Sequence, residues 1–366
     1  MSGTFKRYLV PGLVMRSVLV GATYSTGREV TEFFLKYGPF SALIGLVITT
    51  VLFSGFCFVA LELARRYKVF DYKSFCEVYM GRLWFLYELG FLSGVMLTLS
   101  ILGAAAGEVS GDLFGIPHLV GTWALMVAIA LLVYLGTSSI EKIMSVWSIF
   151  FYVAYAVLVV LAVYHSGSKI PEKVTPAPIT IGAVGSAAVY AGFCCAILPV
   201  VIFVARHLET RKDAAIAGIF SGPLVFSPAL ALTLVLIPYY PDITSAPVPI
   251  MHVLDGLQVR WLVALIKVAI LGELAVVGAG LLHGVNERIA KTLEERNTRM
   301  SASWRAGFSL AALVFSVFLA ERVGLIKLVA TGFRYGFWAF LAVIVLPLFP
   351  RGYAMIASRW NSRTAS

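Results

Sequence analysis

Glu273 stands in the middle of an apolar run, flanked by Ile270, Leu271, Gly272, Leu274 and Ala275. A carboxylate in such surroundings must be neutralised by a proton, a cation or a basic partner. Glu273 is therefore a candidate for coupling an ion to the movement of another species, with a helix-pinning glutamate as the bland alternative. Two other segments interrupt apolar runs with residues that weaken a helix. One is Gly21-Ala22-Thr23-Tyr24-Ser25-Thr26-Gly27; the other is Tyr190-Ala191-Gly192-Phe193-Cys194-Cys195, followed by Pro199. Unwound backbone at membrane depth survives only where it lines a cavity. The spacing nominates Gly21 to Gly27 and Tyr190, Ala191, Gly192 and Phe193 as substrate-contacting residues. Glycines also permit close helix packing, so each segment taken singly supports either role.

Catalytic chemistry is poorly represented. Cys194-Cys195 has no accompanying Cys/His cluster, so a space-filling role is favoured over a soft-metal site. The five histidines stand singly, at 118, 165, 207, 252 and 283. No nucleophile elbow, phosphate loop or zinc-protease motif occurs. An enzyme is not expected, nor a cofactor or bound metal; a proton or sodium ion is the expected coupling species.

The elements that must position these groups follow from composition. Of the 366 residues, 60% are hydrophobic and only 13% charged, and mean hydropathy is +0.89. A soluble domain carries about 25% charged residues, so a water-soluble single core is excluded, as is disorder. At about 20 apolar residues per crossing, the runs read as ten membrane helices. Their ranges are 9–35, 39–64, 83–109, 119–136, 140–165, 183–205, 214–237, 259–285, 304–320 and 325–349. Residues 65–82 suit a short helix on the cytoplasmic surface, 166–182 and 238–258 external loops, and 350–366 a tail. The net charge of +10 belongs to loops rather than to a nucleic-acid site. Placing the amino terminus inside puts 19 basic residues on the cytoplasmic side and 7 outside. Both termini are thus expected in the cytoplasm, and the chain in a bacterial inner membrane. Its partners are a small-molecule substrate and the lipid bilayer.

Gly21 and Gly192 lie 171 residues apart, and at an offset of 177 Trp84, Gly103 and Gly107 meet Trp261, Gly280 and Gly284. Both offsets lay span n on span n+5. Five spans repeated after an odd number must be inverted, and interrupted helices in matching positions point to a transporter's midplane site. The expected units are 1–165 and 183–349, with the first and sixth spans unwound near Gly21–Gly27 and Ala191–Cys195.

The stretch Gly21–Phe34 (GATYSTGREVTEFF), with Tyr37-Gly38-Pro39-Phe40 and Leu61–Tyr67 (LELARRY), resembles the bacterial YkvI-like amino acid permeases. These belong to the amino acid–polyamine–organocation superfamily with the LeuT-type fold. The resemblance covers most of the chain and is most specific in the first 110 residues. It implies an all-α membrane protein, ten helices in a five-plus-five inverted repeat, and secondary transport of a small organic solute. It places the superfamily's eighth-span sodium-site hydroxyl pair on Gly272 and Glu273, where no hydroxyl stands, so a proton is favoured over sodium. It offers Lys142 as a fifth-span lysine in place of sodium, with plain positive-inside placement as the alternative. It also offers Arg28, with Glu29, as an outer gate. Lys6 and Arg7 could close an inner gate with Glu287, and Arg334 could reach Glu29. The expected function is an ion-coupled, amino-acid-like solute transporter, with a channel or uncoupled facilitator as the alternative.

Overall fold

The computed structural model describes residues 3–19, 24, 26–134, 137–257, 260–294, 302–345 and 347–348. Among these the chain is all-helical, without a strand. The helices are α1 (Gly3–Tyr8), α2 (Val10–Leu19), α3 (Arg28–Phe33), α4 (Pro39–Tyr67), α5 (Tyr72–Met80), α6 (Phe85–Phe114), α7 (His118–Tyr134) and α8 (Thr137–Ser166). Then come α9 (Ile181–Cys194), α10 (Leu198–Val201), α11 (Arg211–Leu236), α12 (Pro249–Leu257), α13 (Arg260–Glu294), α14 (Ala302–Val323) and α15 (Phe333–Phe340). Among the described residues, seven stretches are long and apolar enough to cross a membrane, and α7 is a shorter apolar helix. Large apolar side chains such as Val51, Leu131, Val153 and Val160 point outward. Water would penalise that surface and lipid does not, so the chain is a multi-pass membrane protein.

Local sequence sets the helix ends. Gly38 takes φ 98° before Pro39 opens α4, where the missing proline N–H costs nothing. Thr210 and Asp213 form a reciprocal capping box at the start of α11. Inside α11, Pro223 and Pro228 cannot donate to the carbonyls of Ile219 and Leu224. Ser54 donates to the first at 3.2 Å and Ser227 to the second at 3.2 Å, so the helix continues. Gly218 and Gly222 bring α11 against α4: a Cβ on Gly218 would meet Phe58 at 2.8 Å, and one on Gly222 would meet Ser54 at 2.2 Å. Such small-residue contacts let helices associate where no hydrophobic force acts between them.

Two packed groups result. In one, α2 and α4 lie on α11, and α9 lies on α4. In the other, α6 and α7 lie on each other and on α13, while α14 lies on α6 and α7. α8 packs along α13, and α15 along α9. The short helix α5 starts at Asp71, whose carboxylate accepts from the Ser74 amide at 2.9 Å, and its Phe75 and Tyr79 are buried.

The expected unwinding of the sixth span does not occur. Backbone dihedrals stay helical through Cys194, Cys195 and Ile197, and α9 tightens into a 3-10 turn before α10. The Cys195 amide points at the carbonyls of Ala191, Gly192 and Phe193, and the Leu198 amide donates to Cys195. The Ala196 carbonyl accepts from the Tyr87 hydroxyl at 3.0 Å. Pro199 falls in the first turn of α10, where it breaks no bond. Local rearrangement satisfies the backbone, so no extended segment is required. In the first span the chain does break before α3, where Gly27 adopts φ 78°.

Candidate functional site

A cavity of about 390 Å³ lies where α2, α3, α6, α9, α13 and α15 converge. That size suits a small organic ligand. Its walls are mainly aliphatic and aromatic, with Glu29 and Tyr190 on one border and Arg288 on another. Gly280 and Gly284 of α13 also line it. Their first-half counterparts do something else: a Cβ on Gly103 would meet Met126 at 2.6 Å, and one on Gly107 would meet the His118 carbonyl at 2.8 Å. In α6 the glycines permit packing on α7, whereas in α13 they make room.

Glu29, only 4% exposed, is the first acidic residue of α3. The Tyr190 hydroxyl hydrogen-bonds its Oε2 and lies 2.7 Å from the Tyr24 hydroxyl. Each hydroxyl has one proton, so Tyr190 donating to the carboxylate leaves Tyr24 to donate to Tyr190. Tyr190 is wedged between Phe33 and Phe34, with ring centroids at 4.9 Å and 5.3 Å, and this packing fixes its hydroxyl. Three residues from two distant segments thus form one buried polar cluster. Thr26 accepts from the Arg28 amide at 3.2 Å, and the Gly27 amide donates to Tyr24 at 3.0 Å. Two backbone amides at the break are therefore engaged within the chain. Ala191 and Gly192 are buried in α9, and Phe193 borders the cavity, 6.4 Å from Phe340 between ring centroids. Gly21, Ala22, Thr23 and Ser25 lie outside the described residues.

Arg28 is buried and does not face an acidic group on the last span. Its guanidinium donates to the carbonyls of Thr244 and Ala246 at 2.9 Å and 3.0 Å, and to Glu32 at 2.7 Å. Glu32 also pairs with Lys36. This knot ties α3 to the loop before α12. Arg7 pairs with Glu209 and approaches Asp213 at 4.0 Å, while Tyr8 donates to Asp213 at 3.1 Å. The amino-terminal helix is thus fastened to Glu209 and to the start of α11. The side chains of Glu287 and Lys142 lie outside the described residues. Arg334 is exposed.

Glu273 is 6% exposed, and among the described residues its Oε2 has no hydrogen-bond partner. Its neighbour Gly272 admits the Trp147 indole so closely that a Cβ there would lie 1.8 Å from the ring. Trp147 donates to the Ala269 carbonyl at 3.3 Å, which locks α8 to α13. The Arg16 guanidinium stands over the Tyr152 ring of α8 at 5.5 Å. Arg16, Tyr24 and Tyr152 border a second cavity of about 380 Å³ between α2, α8 and α11. Tyr24 therefore touches this cavity while bonded to Tyr190, which borders the first.

Two ionic contacts, among others, were missed by sequence reasoning. Asp112, near the end of α6, pairs with buried Lys267 of α13. Glu62, buried near the end of α4, pairs with Arg65 at 2.8 Å. The second could have been found from its i,i+3 spacing; the first joins helices 155 residues apart and left no local signal.

No family model and no curated protein matches the chain. Solved structures do. A manganese transporter from Eremococcus coleocola, crystallised with an aromatic bis-isothiourea compound, aligns at a TM-score of 0.58. The alignment is 13% identical and covers 94% of this chain and 78% of that one. Two mutants of that transporter align at a TM-score of 0.53 and 14% identity, with the same coverages. The chain shares a membrane transporter's fold. At this identity the likeness concerns backbone architecture alone.

Proposed function

We propose that the protein is a secondary active transporter that moves a small organic, amino-acid-like solute across the bacterial cytoplasmic membrane by alternating access. The observation that carries this reading is the cavity bordered by Glu29 and Tyr190 beside the break in the first span. A ligand at that junction would touch elements of both packed groups, so its binding could bias their relative arrangement. The architecture is read as a five-plus-five inverted repeat. In support, α2 packs on α11 as α9 packs on α4, and α7 packs on α13 as α14 packs on α6. Advancing each span by five turns one pairing into its counterpart.

Glu273 is the proposed ion-coupling residue, with the proton favoured over sodium. A buried carboxylate with an oxygen lacking a partner gains most from a proton or a cation. Glu273 borders neither of the two cavities. The carried ion would thus act beside the substrate, through the packing of α13 on α8. The knot around Arg28 would hold one face shut, and the Arg7–Glu209 contact would steady the other.

The solved neighbours are named for manganese, and a divalent-cation cargo is the second reading. Manganese favours several oxygen or nitrogen ligands; among the described residues no three His, Cys, Asp or Glu side chains gather. Proteoliposomes loaded with radiolabelled amino acids, amines or manganese separate the readings. Saturable, gradient-dependent uptake of an organic solute supports transport of that class. Manganese uptake with no organic uptake would replace it, and non-saturable flux would favour a channel.

A further inference from the structure

The second cavity, of about 380 Å³ between α2, α8 and α11, has a chemistry unlike the first. It meets the outer surface of the bundle: Tyr152 and Val160 border it and are 40% and 65% exposed on the face turned to lipid. One formal charge, Arg16, stands on its border, with no acidic residue in the described lining. We propose that this cavity binds a long-chain carboxylate drawn from the membrane. The anionic head lies against Arg16 and Tyr155, and the hydrocarbon chain follows the apolar wall outward. The site goes beyond the transport reading and requires only that the chain sits in a membrane.

Three observations carry the assignment. First, two polar groups on the border have unmet hydrogen bonds. The Arg16 Nε is buried without a partner among the described residues, and so is the Tyr155 hydroxyl. A guanidinium stays protonated and only donates, so what answers it must be an acceptor. The Tyr152 ring under Arg16 attracts its charge but offers no acceptor oxygen. A cation at membrane depth is costly, and an anion placed against it offsets that cost. Second, the other hydroxyls nearby are engaged. Tyr24 is bonded to Tyr190 at 2.7 Å, and Ser227 donates to the Leu224 carbonyl at 3.2 Å. What remains calls for one compact acceptor head. Third, Phe151, Val159 and Leu232 present a hydrocarbon wall that an alkyl chain would bury. The Phe151 and Tyr155 rings lie 5.3 Å apart, which holds the phenol at the border.

Depth selects the head. Backbone hydrogen bonds from Leu9 to Phe5 and from Leu13 to Leu9 carry α1 into α2 along one helical path. Arg16 lies nine residues beyond Arg7, about 14 Å of helical rise. Arg7 pairs with Glu209, whose side chain is largely exposed to water. A carboxylate on a single chain can sink that far, whereas a phosphodiester carrying glycerol and two chains is held nearer the interface. A neutral alcohol or sterol would fill the cavity and leave the charge of Arg16 unanswered.

The test uses the full chain in phosphatidylcholine nanodiscs at alkaline pH, with palmitate and hexadecanol as radiolabelled probes matched in chain but not in charge. After correction for partition into empty nanodiscs, palmitate should bind saturably and hexadecanol about 30-fold more weakly. Arg16→Gln should weaken palmitate about 30-fold and Tyr155→Phe about 5-fold, with hexadecanol little changed. A diazirine-bearing palmitate should label α8 and α11, and excess palmitate should remove the label. If Arg16→Gln does not fold, the labelling map and the wild-type comparison of the two probes decide the matter. Equal binding of palmitate and hexadecanol, full palmitate binding by Arg16→Gln, or saturable label confined to other helices would overturn the assignment. Displacement of palmitate by a lower concentration of dipalmitoylphosphatidylglycerol would overturn it too, making a phospholipid the occupant. None of these measurements reads transport, so failure here leaves the solute reading standing, and absence of solute uptake leaves this site standing.

Discussion

Glu29 and Glu273 are both buried carboxylates within helices, yet the bundle holds them in different ways. Glu29 begins a short helix after a glycine break, borders a cavity, and receives a hydrogen bond from a tyrosine clamped between two phenylalanines. Glu273 sits inside an unbroken helix, borders neither cavity, and keeps one oxygen without a partner among the described residues. A carboxylate whose orientation is fixed beforehand is suited to recognising a ligand, because little ordering remains to be paid on binding. A carboxylate with an unmet oxygen is suited to changing its protonation or ion occupancy, because each state differs strongly in energy. The contrast assigns recognition to the first and coupling to the second.

The largest effect expected from this contrast is a crossed pair of phenotypes in binding. Glu29→Gln should lose solute binding, while Glu273→Gln should bind within about three-fold of wild type, a difference under 1 kcal/mol. Dialysis of both variants side by side checks this; equal losses would erase the distinction. Next in size is Gly272→Val. The added side chain must displace the Trp147 indole, and overpacking of this kind costs about 1–3 kcal/mol. A lowered Tm is expected, with altered ion dependence because Glu273 moves with its neighbour. An unchanged Tm would mean that α8 and α13 pack more loosely than the geometry implies.

Tyr190→Phe is smaller and sharper. It keeps the ring between Phe33 and Phe34 and removes the donor to Glu29. Leaving that acceptor short should cost the unliganded protein about 1–3 kcal/mol. Solute binding should survive, because the ring that borders the cavity is kept; loss of binding would make the hydroxyl itself a ligand contact. Arg7→Ala should have the least effect. Its pairing with Glu209 is partly exposed, at 33% and 65%, and such pairs are worth about 0–1 kcal/mol. A large change in transport rate would give this contact a gating role.

Much of this arrangement was legible in the sequence, for reasons that can be stated residue by residue. Apolar runs with sparse charge reveal membrane helices because the bilayer leaves few alternatives. Tyr24, Glu29 and Tyr190 could be singled out because polar groups beside broken apolar runs are expensive. Their mutual contact could not, since it spans 161 residues. The sixth span misled for an identifiable reason. Glycine and proline signal a weakened helix, but Tyr87 supplies a hydrogen bond from another helix, and no sequence window around Cys194 contains it. The partners of Arg28 could not be read either: the carbonyls of Thr244 and Ala246 carry no side-chain signature. The pairing of Lys267 with Asp112 likewise arises only when the fold brings α6 and α13 together.

Gradient-driven accumulation by wild type and Glu273→Gln, in proteoliposomes with proton and sodium gradients imposed separately, tests the central claim most directly. Wild-type protein is predicted to concentrate the solute when a proton gradient is imposed. The variant should exchange internal for external solute at a comparable rate while failing to accumulate it under either gradient. Undiminished accumulation by Glu273→Gln would contradict the account and leave Glu273 a structural contact between helices.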